Sequence, residues 1–325
     1  MSVLIEPTGG PTGGPAEVAT TTAQRNRGLG DKVFAGLARG AGLVILVALA
    51  GVFVFLLIKG VPGLSVAQVN YGSFSSFWAL VWPLLWGTIL IAILALILSV
   101  PFSVAIALFI THYAPRALAV PVAYVIDLLA AVPSVVYGLW GGTTLALTLR
   151  PVIQWLTDHV SWFPLFKGPY AGTGQVGATA VLVLAVMILP IITAISREVF
   201  AQTPRLHEEA AIGLGATRWE VVRLAVLPHA RSGVIAGIML GLGRALGETL
   251  AVTMVYSSSP LVTLNVAGNS SPQTIASYIA NNFAEANTDR RAVLIAAGLV
   301  LFAFTFVVNF AARWWIGHAE KRLAR

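Results

Sequence analysis

Residues Thr203 to Pro228 read TPRLHEEAAIGLGATRWEVVRLAVLP, the longest charged stretch between two strongly apolar runs. This pattern predicts two short helices that meet at Gly213 and Gly215, because glycine interrupts a helix and closes tight turns. Thr203 is expected to cap the first helix. Pro204 then occupies its first turn, where the missing N–H costs nothing.

The second predicted helix has a start signal and a stop signal. Thr217 and Glu220 form the S/T-x-x-E pattern of a capping box, in which each residue satisfies a free N–H of the other. Pro228 is expected to end this helix. A capped, charged segment between apolar runs is either a solvated linker or a docking surface, and the helix signals alone do not separate the two interpretations.

The composition places this charged stretch in a membrane protein. Of 325 residues, 57% are hydrophobic and 10% are charged, with a mean hydropathy of +0.84, whereas soluble domains carry roughly 25% charged residues. The pI of about 10.1 would suit a nucleic-acid-binding protein only if the basic residues formed one patch, but they are spread over loops, so no nucleic-acid partner is expected. The chain has no cysteine, which excludes disulfides and thiolate sites.

Six apolar runs predict an all-α polytopic membrane protein with six transmembrane helices. Residues 1–35, rich in glycine, proline and threonine, are expected to form a disordered cytoplasmic tail, and 36–325 a single transmembrane domain. Pro101 in the second run predicts either a kink or the end of a span. The runs cover residues 40–58, 84–110, 117–147, 176–195, 233–255 and 292–316.

The distribution of lysine and arginine predicts the orientation of the chain. Six spans place both termini on one side, and the segments on that side hold fourteen of the 20 basic residues, including those of the central charged stretch. The opposite loops hold five, and Arg244 lies within a span. By the positive-inside rule, both termini and the charged stretch are expected to be cytoplasmic in a multi-pass protein of the cell membrane.

The chain lacks the sequence patterns of a catalyst. It contains no Gly-Lys dipeptide, and therefore no Walker A phosphate loop, and no G-x-S-x-G pattern. Its five histidines are scattered without metal-ligand spacing. We therefore expect no catalytic residue, no metal and no cofactor in this chain, and no enzyme activity of its own.

Three ionisable residues lie well away from the ends of apolar runs, where a charged group costs about 2.5 to 3.5 kcal/mol and usually faces a cavity or a partner. Arg244 and Glu248 are four residues apart, so they are expected to lie on one helix face, where they can pair. They are either a structural ion pair or part of a lined pathway. Asp127 is expected to reach water or Arg116, in a structural role.

Glycines flank the Arg244 and Glu248 positions. The pairs Gly237-x-x-x-Gly241 and Gly243-x-x-x-Gly247 both fit the small-xxx-small pattern of close helix contact. Backbone surfaces that another helix can approach favour the pathway interpretation of the two charges.

The central stretch resembles the EAA signature of ABC importer permeases, the cytoplasmic loop that docks on an ATP-hydrolysing subunit. The EAA tripeptide at 209–211, Gly215 and the Leu-Pro pair at 227–228 match, whereas Ala225 replaces the usual isoleucine. This resemblance places the coupling loop at residues 197–231. It assigns ATPase coupling to Glu208, Glu209, Ala210, Ala211 and Gly215.

Three segments together resemble the phosphate-specific branch, the C-type permease subunit of the Pst system. They are AAVPSVVYGLWG at 130–141, GLGATRWEVVRLAVLP at 213–228 and GIMLGLGRALGETLAV at 237–252, and the likeness spans roughly residues 35–320. The resemblance implies a type I, MetI-like permease architecture that imports phosphate by alternating access. It places Arg244 and Glu248 in the substrate pathway.

The partners implied by this resemblance are a homologous second permease, two ATP-binding cassette subunits and an external phosphate-binding protein, all working at a lipid bilayer. Two alternatives remain open. One is a permease for another oxyanion, such as sulfate or molybdate, which would share the EAA loop. The other is an ATP-independent secondary anion transporter, which would have no use for that loop.

Overall fold

A computed structural model describes residues 29–323 except Ala171, Ser257 and Asn269, and this part of the chain is helical without strands. The α-helices are α1 Leu29–Gly60, α2 Phe77–Leu108, α3 Arg116–Ala131, α4 Ser134–Trp140, α5 Ala146–His159, α6 Gly177–Ala201, α7 Arg205–Gly213, α8 Arg218–Val221, α9 Leu227–Gly247, α10 Leu250–Val255, α11 Ile275–Asn282 and α12 Thr288–Leu323. Single π-turns extend α2, α4 and α8 at Phe109–Tyr113, Gly141–Leu145 and Val222–Val226.

The chain divides into two compact units, residues 1–52 and 53–325. In the first unit the described residues belong to α1, and its large apolar side chains from Val33 to Val52 are exposed. Of the predicted tail, residues 1–28 lie outside the described part. Residues 29–35 are helical. The first helix therefore begins within the predicted tail rather than after it.

Within the described residues, five helical segments are long and apolar enough to cross a membrane, and a sixth crossing is formed if the bent pair α3 and α4–α5 counts as one span. The bend in that pair is 94°. It occurs at Val132-Pro133, where the residue before a proline is pushed from helical to extended backbone, and Val132 has a ψ of 128°. The all-α fold with six spans agrees with the sequence-based prediction.

Two prolines affect their helices less than the sequence suggested. The second span is one helix that continues through Pro101, so the chain does not leave the span there. The prediction that Pro228 ends its helix is wrong, because a continuous helical segment runs from Arg218 to Gly247. Pro228 follows the π-turn and lies in the first turn of α9, where its missing N–H is tolerated.

The core of the second unit lies where α6 packs between α2 and α9. Gly237 and Gly241 of α9 allow this packing, since a Cβ at Gly241 would lie 2.9 Å from side-chain atoms of Ile192. This confirms the first predicted small-residue contact. The second is not made in the described part of the chain, because Gly243 and Gly247 face open space, having nothing within 4 Å of a Cβ.

We define the charged end of the unit as the end at which α2 and α6 terminate and α7 and α8 lie. A separate apolar cluster holds this end together and includes Leu108 of α2, Phe200 of α6, and Val222 and Val226 of the π-turn after α8. Phe200, Val222 and Val226 are at most 1% exposed. We call the continuous helical segment Arg218–Gly247 the helical rod. Its first turns therefore pack beside the ends of two spans, α2 and α6.

Candidate functional site

The segment between α6 and α9 forms two helices joined by a tight glycine turn, as the sequence predicted. The N–H of Gly215 donates to the carbonyl of Ile212 at 2.9 Å, and that of Ala216 donates to Ala211 at 3.1 Å. Gly215 has a φ of +86°, in the left-handed region that favours glycine. This glycine is required for its backbone conformation rather than for space, because a Cβ there would contact nothing within 4 Å.

The capping box of the second helix is confirmed. The Thr217 N–H donates to Oε2 of Glu220 at 2.7 Å, and the Glu220 N–H donates to Oγ1 of Thr217 at 3.4 Å. The cap predicted for Thr203 is wrong, because Pro204 has extended backbone and occupies the capping position itself. Thr203 instead donates its N–H to Phe200 at the end of α6, and its buried hydroxyl has no partner in the described part of the chain.

Three of the residues assigned to ATPase coupling present an open concave surface. Ala210, Ala211 and Gly215 line a cavity of about 760 Å³ together with Leu214, which is 91% exposed. Glu209 is also exposed, but it lies on the other side of α7, where it lines a smaller cavity with Glu208. Short side chains leave the concavity accessible, and exposed large apolar groups at its edge are typical of a surface that another protein covers. This geometry favours a docking surface over a solvated linker.

Glu208 faces the opposite way, toward the bundle. Its Oε1 lies 3.7 Å from Nε2 of His112, which belongs to the π-turn that ends α2. The His112 ring is fixed by the Thr111 hydroxyl, 2.7 Å from its Nδ1. The first turn of α7 is thereby joined to the second span, a connection that the sequence did not reveal because the two residues are far apart in the chain.

The predicted pairing of Arg244 with Glu248 on one helix face is wrong. The helix α9 ends at Gly247, and Glu248 has extended backbone with φ −69° and ψ 124°. The Glu248 carboxylate turns forward and accepts the N–H of Ala251 at 3.1 Å, at the start of α10. Arg244 forms no ion pair with any other described residue, because the change of backbone direction at Gly247 removes the i, i+4 geometry.

The break places one charged residue on each side of it. Arg244 lies in the last turn of α9, where a cation complements the partial negative charge of a helix C-terminus, and Glu248 interacts with the partial positive start of α10. Non-helical backbone within a membrane span is tolerated only where protein buries it or where it lines an aqueous cavity. Both local structure and the cost of burying charge therefore indicate a polar environment at this break.

The segment PSVVYG packs directly against this broken region. Gly138 of α4 meets α10, since a Cβ at Gly138 would lie 2.9 Å from the Cα of Ala251. Tyr137 is buried and donates its hydroxyl to the Leu129 carbonyl at 2.8 Å. The sequence indicated that PSVVYG and the Arg244–Glu248 region are both important, but no local pattern predicts that the two segments are in contact.

Asp127 pairs with Arg197 rather than with Arg116. Nη2 of Arg197 lies 3.2 Å from Oδ1 and 3.3 Å from Oδ2 of Asp127, which joins α3 to the last turns of α6. The Asp127 side chain is 49% exposed, so this ion pair is a modest structural link. No group of three or more potential metal ligands is found within the described ranges.

Two similar proteins are named as phosphate transport permeases. The chain is 44% identical over 313 residues to the phosphate transport system permease protein PstC 2 of Mycobacterium bovis, covering 92% of this chain and 95% of that protein. It is 36% identical to the corresponding PstC of Mesorhizobium japonicum, covering 92% and 93%.

Two solved structures share the fold at low identity. A chain of the MetNI methionine ABC transporter in an inward-facing conformation superposes with a TM-score of 0.54 at 16% identity, covering 74% of this chain and 96% of that chain. A chain of a bacterial alginate ABC transporter gives 0.55 at 18%, covering 91% and 98%. The family model for the binding-protein-dependent transport system inner membrane component matches residues 99–325, and the chain therefore belongs to this family of ABC importer permeases.

Proposed function

We propose that this chain is the permease subunit of an ATP-driven importer that carries inorganic phosphate into the cell by alternating access. The observation that carries the proposal is the continuous helical segment Arg218–Gly247, which joins the exposed α7–α8 surface to the charged break at Arg244 and Glu248. At about 1.5 Å per residue, its 30 residues span about 45 Å. Relatives named as phosphate permeases support the choice of substrate.

In this mechanism the concave surface around Ala210, Ala211 and Gly215 receives an ATP-binding cassette subunit. Glu209 and the neighbouring Glu208 lie on the same helix, so movement of the docked subunit moves α7 as a body. The apolar cluster at the charged end passes this movement to α2, α6 and the rod. The far end of the rod, at Gly247, then changes the exposure of the broken region to each side of the membrane.

The two charges suit the chemistry of phosphate. Near neutral pH, phosphate is an anion that still carries protons, so Arg244 can act as its charge partner and Glu248 as an acceptor for a phosphate O–H. Sulfate has no proton to donate to Glu248. The separate orientations of the two side chains leave the Arg244 guanidinium and the second carboxylate oxygen of Glu248 to meet a substrate, whereas a closed Arg–Glu ion pair would occupy both groups.

The working complex requires more than this chain. We propose a homologous second permease, two cassette subunits that hydrolyse ATP, and an external phosphate-binding protein that delivers the substrate, with both termini of this chain in the cytoplasm. Catalysis belongs to the cassette subunits, and no cofactor is assigned to this chain.

Uptake of radiolabelled phosphate by cells expressing the complete importer tests this function. Uptake is expected to require ATP and to resist competition by sulfate and molybdate in excess. Competition by either anion would favour a permease for another oxyanion. Uptake that persists after ATP depletion, driven by an ion gradient alone, would favour a secondary transporter and overturn the proposal.

A further inference from the structure

A second polar surface lies along the helical rod, between Arg244 and the charged end. It is a groove of about 1290 Å³ between α6, α9 and α12, and its polar or charged lining residues are Ser232, Arg244, Asn309 and Arg313. The other described lining residues are apolar or glycine. Among the residues that the structure describes, the lining therefore carries two guanidinium groups and no carboxylate.

The residues of α12 that line this groove form a regular series. Asn309, Arg313 and Gly317 are four residues apart, so they lie along one face of the helix. Phe306, Phe310 and Trp314 are each about 60% exposed and lie three residues before these positions, on an adjoining strip of the same helix. The helix therefore carries a strip of groove-lining residues beside a strip of exposed aromatic residues.

The charge of the groove selects the class of ligand. Arg313 and Arg244 have no acidic partner among the described residues, and both are exposed within the unit. An arginine in a largely apolar groove is best satisfied by an oxyanion, which accepts two parallel hydrogen bonds from one guanidinium. The Asn309 amide and the Ser232 hydroxyl supply further donors for the remaining oxygens.

We propose that this groove is a second phosphate-group site, in which Asn309 and Arg313 receive the anion from Arg244 on its way to the charged end. The inference rests on the proposed function for the direction and nature of the transported anion. A phosphate group can come from two sources here: the free phosphate in transit, or the headgroup of an anionic phospholipid inserted into the groove.

The experiment compares Arg313→Gln with Arg313→Lys, and Asn309→Asp with Asn309→Ala, in the complete importer reconstituted in lipid vesicles. Arg313→Gln is expected to lower the initial rate of phosphate uptake by about tenfold, the cost of one lost charged hydrogen-bonding partner, while Arg313→Lys retains part of the rate. Asn309→Asp adds a negative charge that repels the phosphate anion, and it is expected to reduce uptake more than Asn309→Ala. Arg116→Gln is the matched control, because it removes an exposed arginine outside the groove.

Two vesicle compositions separate the sources of the phosphate group. One contains phosphatidylcholine alone and the other adds anionic phosphatidylglycerol. An equal loss in both vesicles for Arg313→Gln supports free phosphate in transit. A loss confined to vesicles with phosphatidylglycerol assigns the groove to a lipid headgroup and overturns the pathway role.

Assembly and wild-type transport complete the design. Each variant is compared at equal amounts of co-purified cassette subunits, so that a folding defect is not read as a transport defect. Wild-type rates in Arg313→Gln and Asn309→Asp would overturn the second site and leave the proposed function intact. Failure of the wild-type importer to move phosphate would instead contradict the proposed function itself.

Discussion

Gly215 is the residue on which the shape of the docking surface depends. Its φ of +86° is unfavourable for any residue with a Cβ, although the space around it is empty. The nearby Gly213 also has nothing within 4 Å of a Cβ, but it ends α7 with ordinary helical backbone. Two glycines in the same short motif therefore have different physical roles.

The first prediction uses this difference. Gly215→Ala is expected to strain the turn by about 1 to 2 kcal/mol, the usual cost of left-handed backbone for a residue with a Cβ, and to reduce phosphate uptake and co-purification of the cassette subunits. Gly213→Ala, the same change two residues earlier, is expected to leave both close to wild type. Equal behaviour of the two variants at matched abundance in the membrane would show that the turn conformation is unimportant.

His112 joins the docking helix to a span, and the second prediction concerns this contact. His112→Ala removes the partner 3.7 Å from Glu208 without touching the exposed concave surface. Cassette subunits are therefore expected to co-purify normally, while ATP hydrolysis stimulated by the external binding protein and phosphate uptake both fall. The pair is partly exposed, so the loss of unfolding free energy should stay below about 1 kcal/mol. Unchanged uptake would restrict α7 to docking.

At the scale of helices, the sequence allowed the six spans, the paired loop helices and the capping box at Thr217 to be predicted, because these depend on local patterns. The break after Gly247 was not predictable from periodicity, since the apolar run continues through Val255. The helix end predicted at Pro228 was wrong for a related reason. A π-turn at Val222–Val226 changes the backbone hydrogen bonding just before the proline, so the helix continues through it. The contact of α4 with α10 depends on tertiary packing, which no local pattern encodes.

The third prediction tests what Glu248 does at the break. If its carboxylate only caps α10, Glu248→Gln should transport normally, because the amide oxygen can still accept the Ala251 N–H. If it accepts a phosphate proton, Glu248→Gln should fold and assemble but lose most uptake. Glu248→Ala is the companion variant, and the loss of the cap is expected to cost about 1 kcal/mol of stability. Normal uptake by Glu248→Gln would remove the carboxylate from the pathway.

At the scale of the whole molecule, the orientation in the membrane determines which end meets ATP. We expect Arg218, at the charged end, to be cytoplasmic and Ser270, in the loop between α10 and α11, to be external. The chain has no cysteine, so single cysteines at these two exposed positions report orientation directly. In intact cells, an impermeant maleimide is expected to label the Ser270→Cys variant only. Labelling of Arg218→Cys alone would reverse the topology.

Transport through the assembled importer depends on Arg244, which gives the last prediction. Because Arg244 and Glu248 are not paired, Arg244→Gln does not leave a carboxylate without its partner, and folding and assembly are expected to persist. Phosphate uptake should nevertheless fall by about tenfold or more, since a neutral side chain cannot offset the desolvation of the anion.

Arg244→Lys keeps the charge and is expected to retain part of the rate, which separates charge from packing. The double variant Arg244→Gln with Glu248→Gln provides the decisive comparison. A purely structural role for the two charges predicts that this uncharged break, at matched membrane abundance, transports like the wild type. In the pathway role it folds, assembles with its partners and does not transport, because neither the charge partner nor the proton acceptor remains.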